Sequence, residues 1–160
     1  ARNLGAKIRV SGGGRCNVTH HCFEPRELVK NYPRGEKALR GALHRFRVED
    51  TIAWFESRGV ELKTEGDGRI FPKSDRSQSI IDCLVKAARD AGVEIRTRAG
   101  VKEIRAGAVF EVETDDGEVL QAKNVLLATG GTRLAASAGL AKNLGHGLAP
   151  AVPSPPAEPG

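Results

Sequence analysis

The chain has 160 residues, 39% hydrophobic and only 4% aromatic, so a core of respectable size must be built largely from Val, Ile, Leu and Ala, as suits an α/β fold. Its 25 Lys and Arg against 20 Asp and Glu leave a formal charge of +5, but the basic residues are scattered and many sit beside acidic ones, which reads as a solvated surface rather than a nucleic-acid footprint. No apolar run approaches the ~20 residues of a membrane-spanning helix, and three cysteines, an odd number, argue against a disulfide framework and fit a reducing cytoplasm.

Methionine is absent even at position 1, and the chain reads as an internal piece of a longer protein. Near its start, Ile8 and Val10 alternate like a short strand and lead into Ser11, Gly12, Gly13, Gly14, Arg15, Cys16 and Asn17. Glycines remove the side-chain barrier to a close ligand, backbone N–H groups serve as donors, and an arginine supplies a positive fork for phosphate or carboxylate. Three glycines in a row also make an ordinary mobile turn, and this run has neither the Lys-Ser/Thr of a P-loop nor the spacing of a dinucleotide fingerprint.

Residues 24–32 and 36–46 read as short polar helices broken at Pro33 and Gly35, lying over the surface. A clearer helix spans 49–58, with Glu49 and Asp50 in its first turn and Ile52 and Phe55 facing one way; residues 60–63 then alternate like a strand. Asp75 and Gln78 form a candidate capping box for a helix carrying Ile80, Ile81, Leu84, Val85 and Ala88 on one face and ending at Gly92, with residues 93–96 as a further strand. Between these units, Gly66 to Pro72 reads as a turn and a short extended segment.

From Val101 to Lys123 the period changes to two, with turns at Ala106-Gly107 and Asp115-Asp116-Gly117, which predicts a three-stranded antiparallel meander. Residues 124–128 are apolar in nearly every position, as in a strand buried on both faces of a parallel sheet, and run into Thr129, Gly130 and Gly131. Residues 135–144 predict a helix ending at Gly145, and the prolines of 148–160 predict a tail that is neither helix nor central strand.

The run from Ser11 to Thr19 resembles the signature of the aminoacetone-oxidase-like family of FAD-binding flavoproteins, also called NAD(P)/FAD-dependent oxidoreductases. The likeness continues through Trp54-Phe55, Gly68-Arg69-Ile70-Phe71-Pro72-Lys73-Ser74, Ala128-Thr129-Gly130-Gly131 and Leu144-Gly145-His146, in that order. It departs at residues 132–139, which keep little of the proline and glycine pattern of relatives. The resemblance implies a partial FAD-binding Rossmann-like domain of the two-dinucleotide-binding class over residues 1–147, with the meander inside it, followed by the tail at 148–160. It implies an internal fragment whose Gly-x-Gly-x-x-Gly turn and ribose-binding acid lie outside the chain, so FAD is held weakly or not at all by the chain alone.

By the same resemblance, Ser11, Gly12, Gly13, Gly14, Arg15 and Asn17 line the phosphate and flavin region. Val101 makes an adenine-side backbone contact, and Thr129, Gly130 and Gly131 form the other wall. The parent is expected to be a cytoplasmic FAD-dependent oxidoreductase passing electrons between a reduced nicotinamide, NAD(P)H, and an organic acceptor or oxygen, with an unknown small-molecule substrate and neither nucleic acid nor membrane as partner. Arg69 is either near the cofactor cleft or simply exposed on a hairpin.

Other constellations carry less. Cys16, His20, His21 and Cys22 lack the paired, widely separated ligands of recognised zinc sites, and no metal is assigned. Cys16 is either a redox thiol beside Arg15 or, without a resolving partner, a small core residue. His146 has no evident catalytic partner and reads as structural, so no catalytic residue is assigned; any chemistry belongs to a bound cofactor. The alternatives are a basic nucleic-acid-binding module using Arg9, Arg15, Arg40, Arg45 and Arg47, and a degenerate, inactive flavoprotein homologue.

Overall fold

The computed structural model describes residues 3–32, 35–130 and 135–147; Gly131 and the proline-rich tail at 148–160 lie outside the described residues. The chain divides between Thr97 and Arg98 into two compact units.

The first unit opens with α1 (Ala6–Val10), where a strand was expected. A pair of apolar residues two apart is too short a signal to distinguish the periods. Gly5, at φ 67°, starts the turn, and the Arg9 amide donates to the Gly5 carbonyl at 2.9 Å. Ile8 packs on the core while Val10 is 76% exposed, a divergence that a strand would not produce, since i and i+2 share a face.

After the glycine turn come β1 (Thr19–His20), α2 (Pro25–Leu28), α3 (Glu36–Arg45) and α4 (Val48–Glu56). The Glu24 side chain caps α2 and Pro25 sits in its first turn, where a missing N–H costs nothing. The strands β2 (Leu62–Thr64) and β3 (Arg69–Pro72) pair antiparallel around Gly66 to Gly68, with Lys63 opposite Phe71; β1 pairs on the other edge of β3, Thr19 opposite Ile70. The strand expected at 60–63 is therefore displaced toward Thr64.

Helix α5 (Ser77–Asp90) covers this sheet and buries Ile80, Ile81 and Cys83. Cys16, Phe55, Ile80 and Cys83 form one buried cluster, with Ile8, Val18, Trp54, Val60 and Leu62 packed around it. The capping box is absent: Arg76 holds the cap position without a side-chain bond, Asp75 turns to Lys63 and Arg15, and Gln78 bonds Asp82. Residues 93–96 form no strand. Val93 and Ile95 remain exposed, and nothing among the described residues pairs with their backbone as a ladder.

The second unit contains the predicted meander: β4 (Val101–Ala106), β5 (Phe110–Thr114) and β6 (Val119–Ala122), ordered β4-β5-β6 and antiparallel throughout. Ile104 and Thr114 are buried, and α6 (Ala135–Asn143) packs against β4. Residues 124–128 are a second correction. They form no strand, and Leu126 is 89% exposed. A run apolar on both faces settles into a sheet only beside a partner strand, and neither described sheet pairs with it.

Candidate functional site

Ser11, Gly12, Gly13, Gly14, Arg15 and Asn17 come together in a single tight loop between α1 and β1. Gly12, Gly13 and Gly14 take φ of 56°, 67° and 88°, and Cys16 joins them at 66°. A run of left-handed residues is open to glycine and costly for anything with a Cβ. The Cys16 amide donates to the Ser11 carbonyl at 3.0 Å, and the Ser11 hydroxyl donates to Ile8 at 3.0 Å, closing the loop on itself.

The two inner glycines differ in surroundings. A Cβ on Gly12 would stand 2.7 Å from the Asn17 amide nitrogen and 2.7 Å from the Phe71 ring, so the loop lies directly on Phe71. A Cβ on Gly13 would meet nothing within 4 Å. The Gly13 side of the loop is thus open backbone.

Arg15 does not reach into solution as a free fork. Its guanidinium binds both carboxylate oxygens of Glu65, the second at 3.4 Å, lies 3.5 Å from Asp75 and stacks 4.0 Å above the Phe71 ring. The Glu65 hydrogen bond is the largest of the influences raising the Arg15 pKa above its ordinary value. Lys63 holds the Asp75 carboxyl below the usual carboxylate range through a 2.5 Å bond, with Arg15 adding to the effect. Glu65 and Lys63 were not singled out in the sequence, and Asp75 was read there only as a helix cap; all three flank the Gly68 to Ser74 motif, and their adjacency to Arg15 exists only in three dimensions.

Cys16 packs in the core. Arg69 is exposed on the β2–β3 hairpin, paired with Asp67 at 2.6 Å, 3.8 Å from the same Glu65 that holds Arg15, and 5.4 Å from the Phe71 ring centre. Among the described residues, no group of three or more His, Cys, Asp or Glu is placed to hold a metal ion.

Beyond Asn17 the loop continues into the wall of an open cleft of about 320 Å³, lined by Asn17, Thr19 and His20 on one side and by residues of α2 to α4 on the other. His20 is fixed by a 3.1 Å contact between Nε2 and the Asp67 carbonyl and by close packing on Gly68.

The remaining candidates belong to the second unit. Val101 opens the edge strand β4, 40% exposed and opposite Thr114. Thr129 and Gly130 are exposed outside regular secondary structure, Gly130 at φ 83°. His146 closes the end of α6, its amide donating to Ala141 at 3.1 Å.

The class of the domain, Rossmann-like within the FAD-binding flavoprotein superfamily, comes from comparison with known families, and the glycine loop and the meander both lie inside the matched region. The model of the HI0933-like protein Rossmann domain matches residues 1–151, and the chain belongs to that family. It is 33% identical over 158 residues to a 3-dehydro-bile acid delta(4,6)-reductase of Clostridium scindens, covering 95% of this chain and 38% of that protein. It is 31% identical over 127 residues to a ribosomal RNA dihydrouridine synthase of Escherichia coli, covering 79% of this chain and 31% of that one. A ribosomal RNA dihydrouridine synthase of Haemophilus influenzae is 26% identical over 137 residues, covering 81% and 32%. The chain spans about a third of the length of these curated relatives. No helix among the described residues is long and apolar enough to cross a membrane.

Proposed function

We propose that the chain is the FAD-binding part of a cytoplasmic, flavin-dependent oxidoreductase that takes electrons from NAD(P)H and delivers them to a small organic acceptor or oxygen. The observation that carries this is the asymmetry of the glycine loop: Gly12 is pressed onto Asn17 and Phe71, while Gly13 leaves an open, Cβ-free backbone edge of the kind a phosphate or flavin can approach. The loop fits the cofactor through backbone groups of Gly13 and Gly14, with Arg15 bracing the loop from behind through Glu65 and Phe71. Bound FAD supplies hydride and electron transfer; this chain binds it, orients it and shapes the adjoining cleft. Val101, Thr129, Gly130 and Gly131 are further cofactor contacts in this reading on the family resemblance alone.

Of the five arginines that a nucleic-acid module would use, Arg15 pairs with Glu65, Arg40 with Glu36 and Arg47 with Glu49, while Arg9 bonds the neutral Gln78; the three internal ion pairs weigh against that module. A nucleobase acceptor is the second reading, favoured by the names of the two dihydrouridine synthase relatives.

The test is Gly13→Val in the full-length protein, with flavin content read from the visible spectrum and FAD affinity by titration. Loss of flavin with an unchanged far-ultraviolet spectrum and melting temperature within a few degrees supports the reading. Unchanged flavin affinity overturns it. Oxidation of NAD(P)H with a small carbonyl or enone acceptor, against the same assay with RNA, separates the two acceptor classes.

A further inference from the structure

The cleft beside the glycine loop has two kinds of wall. Leu28, Leu43 and Val48 contribute aliphatic surface, and at its mouth Tyr32 and Phe46 remain 45% and 55% exposed, aromatic area that folding leaves uncovered. Facing them from β1 and the preceding loop, Asn17 and Thr19 carry side chains with no hydrogen-bond partner among the described residues. Among the described residues, the lining carries one arginine or lysine, Arg47, at the start of α4.

Arg47 is only partly engaged. Its described side-chain contacts, to Glu49 at 3.0 Å and to the Phe23 carbonyl at 3.4 Å, both run through Nη2. The remaining donors of a planar five-donor fork suit an added carboxylate. A volume of about 320 Å³ stands at the lower end of the ~300–1,000 Å³ usual for ligand pockets, which suits a compact body and not an extended polymer.

We infer that this cleft binds a small organic acid with a flat apolar body, the body lying against Tyr32, Phe46 and the aliphatic wall and the carboxylate taken by Arg47. The inference rests on the proposed oxidoreductase function in identifying that acid with the electron acceptor, because Asn17 belongs both to the glycine loop and to the cleft wall. Glu49 opposes binding, since it shares Nη2 and carries the same charge as the ligand.

The experiment uses the full-length protein and 2-naphthoate as probe, with 2-naphthamide as its uncharged counterpart, both followed by calorimetry. The acid is expected to bind about tenfold more tightly than the amide, as a charge-assisted hydrogen bond is lost with the charge. Arg47→Gln should abolish that preference while leaving amide binding in place, and Glu49→Gln should strengthen binding of the acid several-fold. Equal affinity for acid and amide, persistence of the preference in Arg47→Gln, or absence of binding overturns the inference. Flavin content is read separately from the visible spectrum of the same preparation, so a colourless protein that still prefers the acid sinks the oxidoreductase reading alone.

Discussion

The guanidinium carbon of Arg15 lies 4.0 Å from the centre of the fully buried Phe71 ring, and Glu65 grips the same guanidinium from its edge. The pair ties the glycine loop to β3, because the ring that Arg15 covers is also the ring on which Gly12 rests. Phe71→Ala removes a side chain with no exposed surface and should cost about 3–5 kcal/mol of unfolding free energy, measured by urea titration. Glu65→Gln should lower the melting temperature more than Lys30→Gln, because Lys30 and Glu27 form only a solvated pair along one helical stretch.

Gly12 and Gly13 should separate fold from ligand. Gly12→Ala places a Cβ 2.7 Å from backbone and ring in a left-handed conformation, and should destabilise by about 1–3 kcal/mol. Gly13→Ala meets only the conformational cost, so its loss should be the smaller of the two by thermal unfolding. Equal losses would mean that the loop does not sit on Phe71 as described.

Acid should weaken the fold through a definite set of carboxyls. Asp75 is held low chiefly by Lys63, Glu113 by Lys102 and then Arg105, and Asp67 by the Arg69 backbone amide. A carboxyl whose folded pKa lies below its unfolded value contributes stability above that unfolded value, near ~4, and loses it as pH falls through the lower folded value. Stability should therefore be level above about pH 5 and fall below about pH 4. High salt should flatten the decline, since all three are accessible to solvent.

The three cysteines, all free, should react in a fixed order. Cys22 is partly accessible, whereas Cys16 and Cys83 are buried and burial pushes the Cys83 thiol above its ordinary pKa. Timed alkylation at neutral pH, read by peptide mass spectrometry, should label Cys22 first and Cys83 only as the chain unfolds. Early labelling of Cys83 would show that α5 does not seal the core.

What the sequence by itself determined is whatever depends on neighbours in the chain. The meander from Val101 to Ala122 followed from alternation and turn residues, α4 and α5 from apolar spacing, and a glycine loop from Gly12, Gly13 and Gly14, because each of these is a local backbone preference. Tertiary structure alone decided the rest. Ile8 and Val10 alternate, yet only packing on Phe55 and Ile80 could show that one is inside and the other outside. Residues 93–96 and 124–128 have strand composition, but a strand exists only where another backbone offers its hydrogen bonds, and no local pattern carries that information. Arg15 read as a fork for anions until Glu65 and Asp75, 50 and 60 positions away, took its charge. Charge balance and edge pairing are long-range relations, and the chain acquires them only when its distant segments meet.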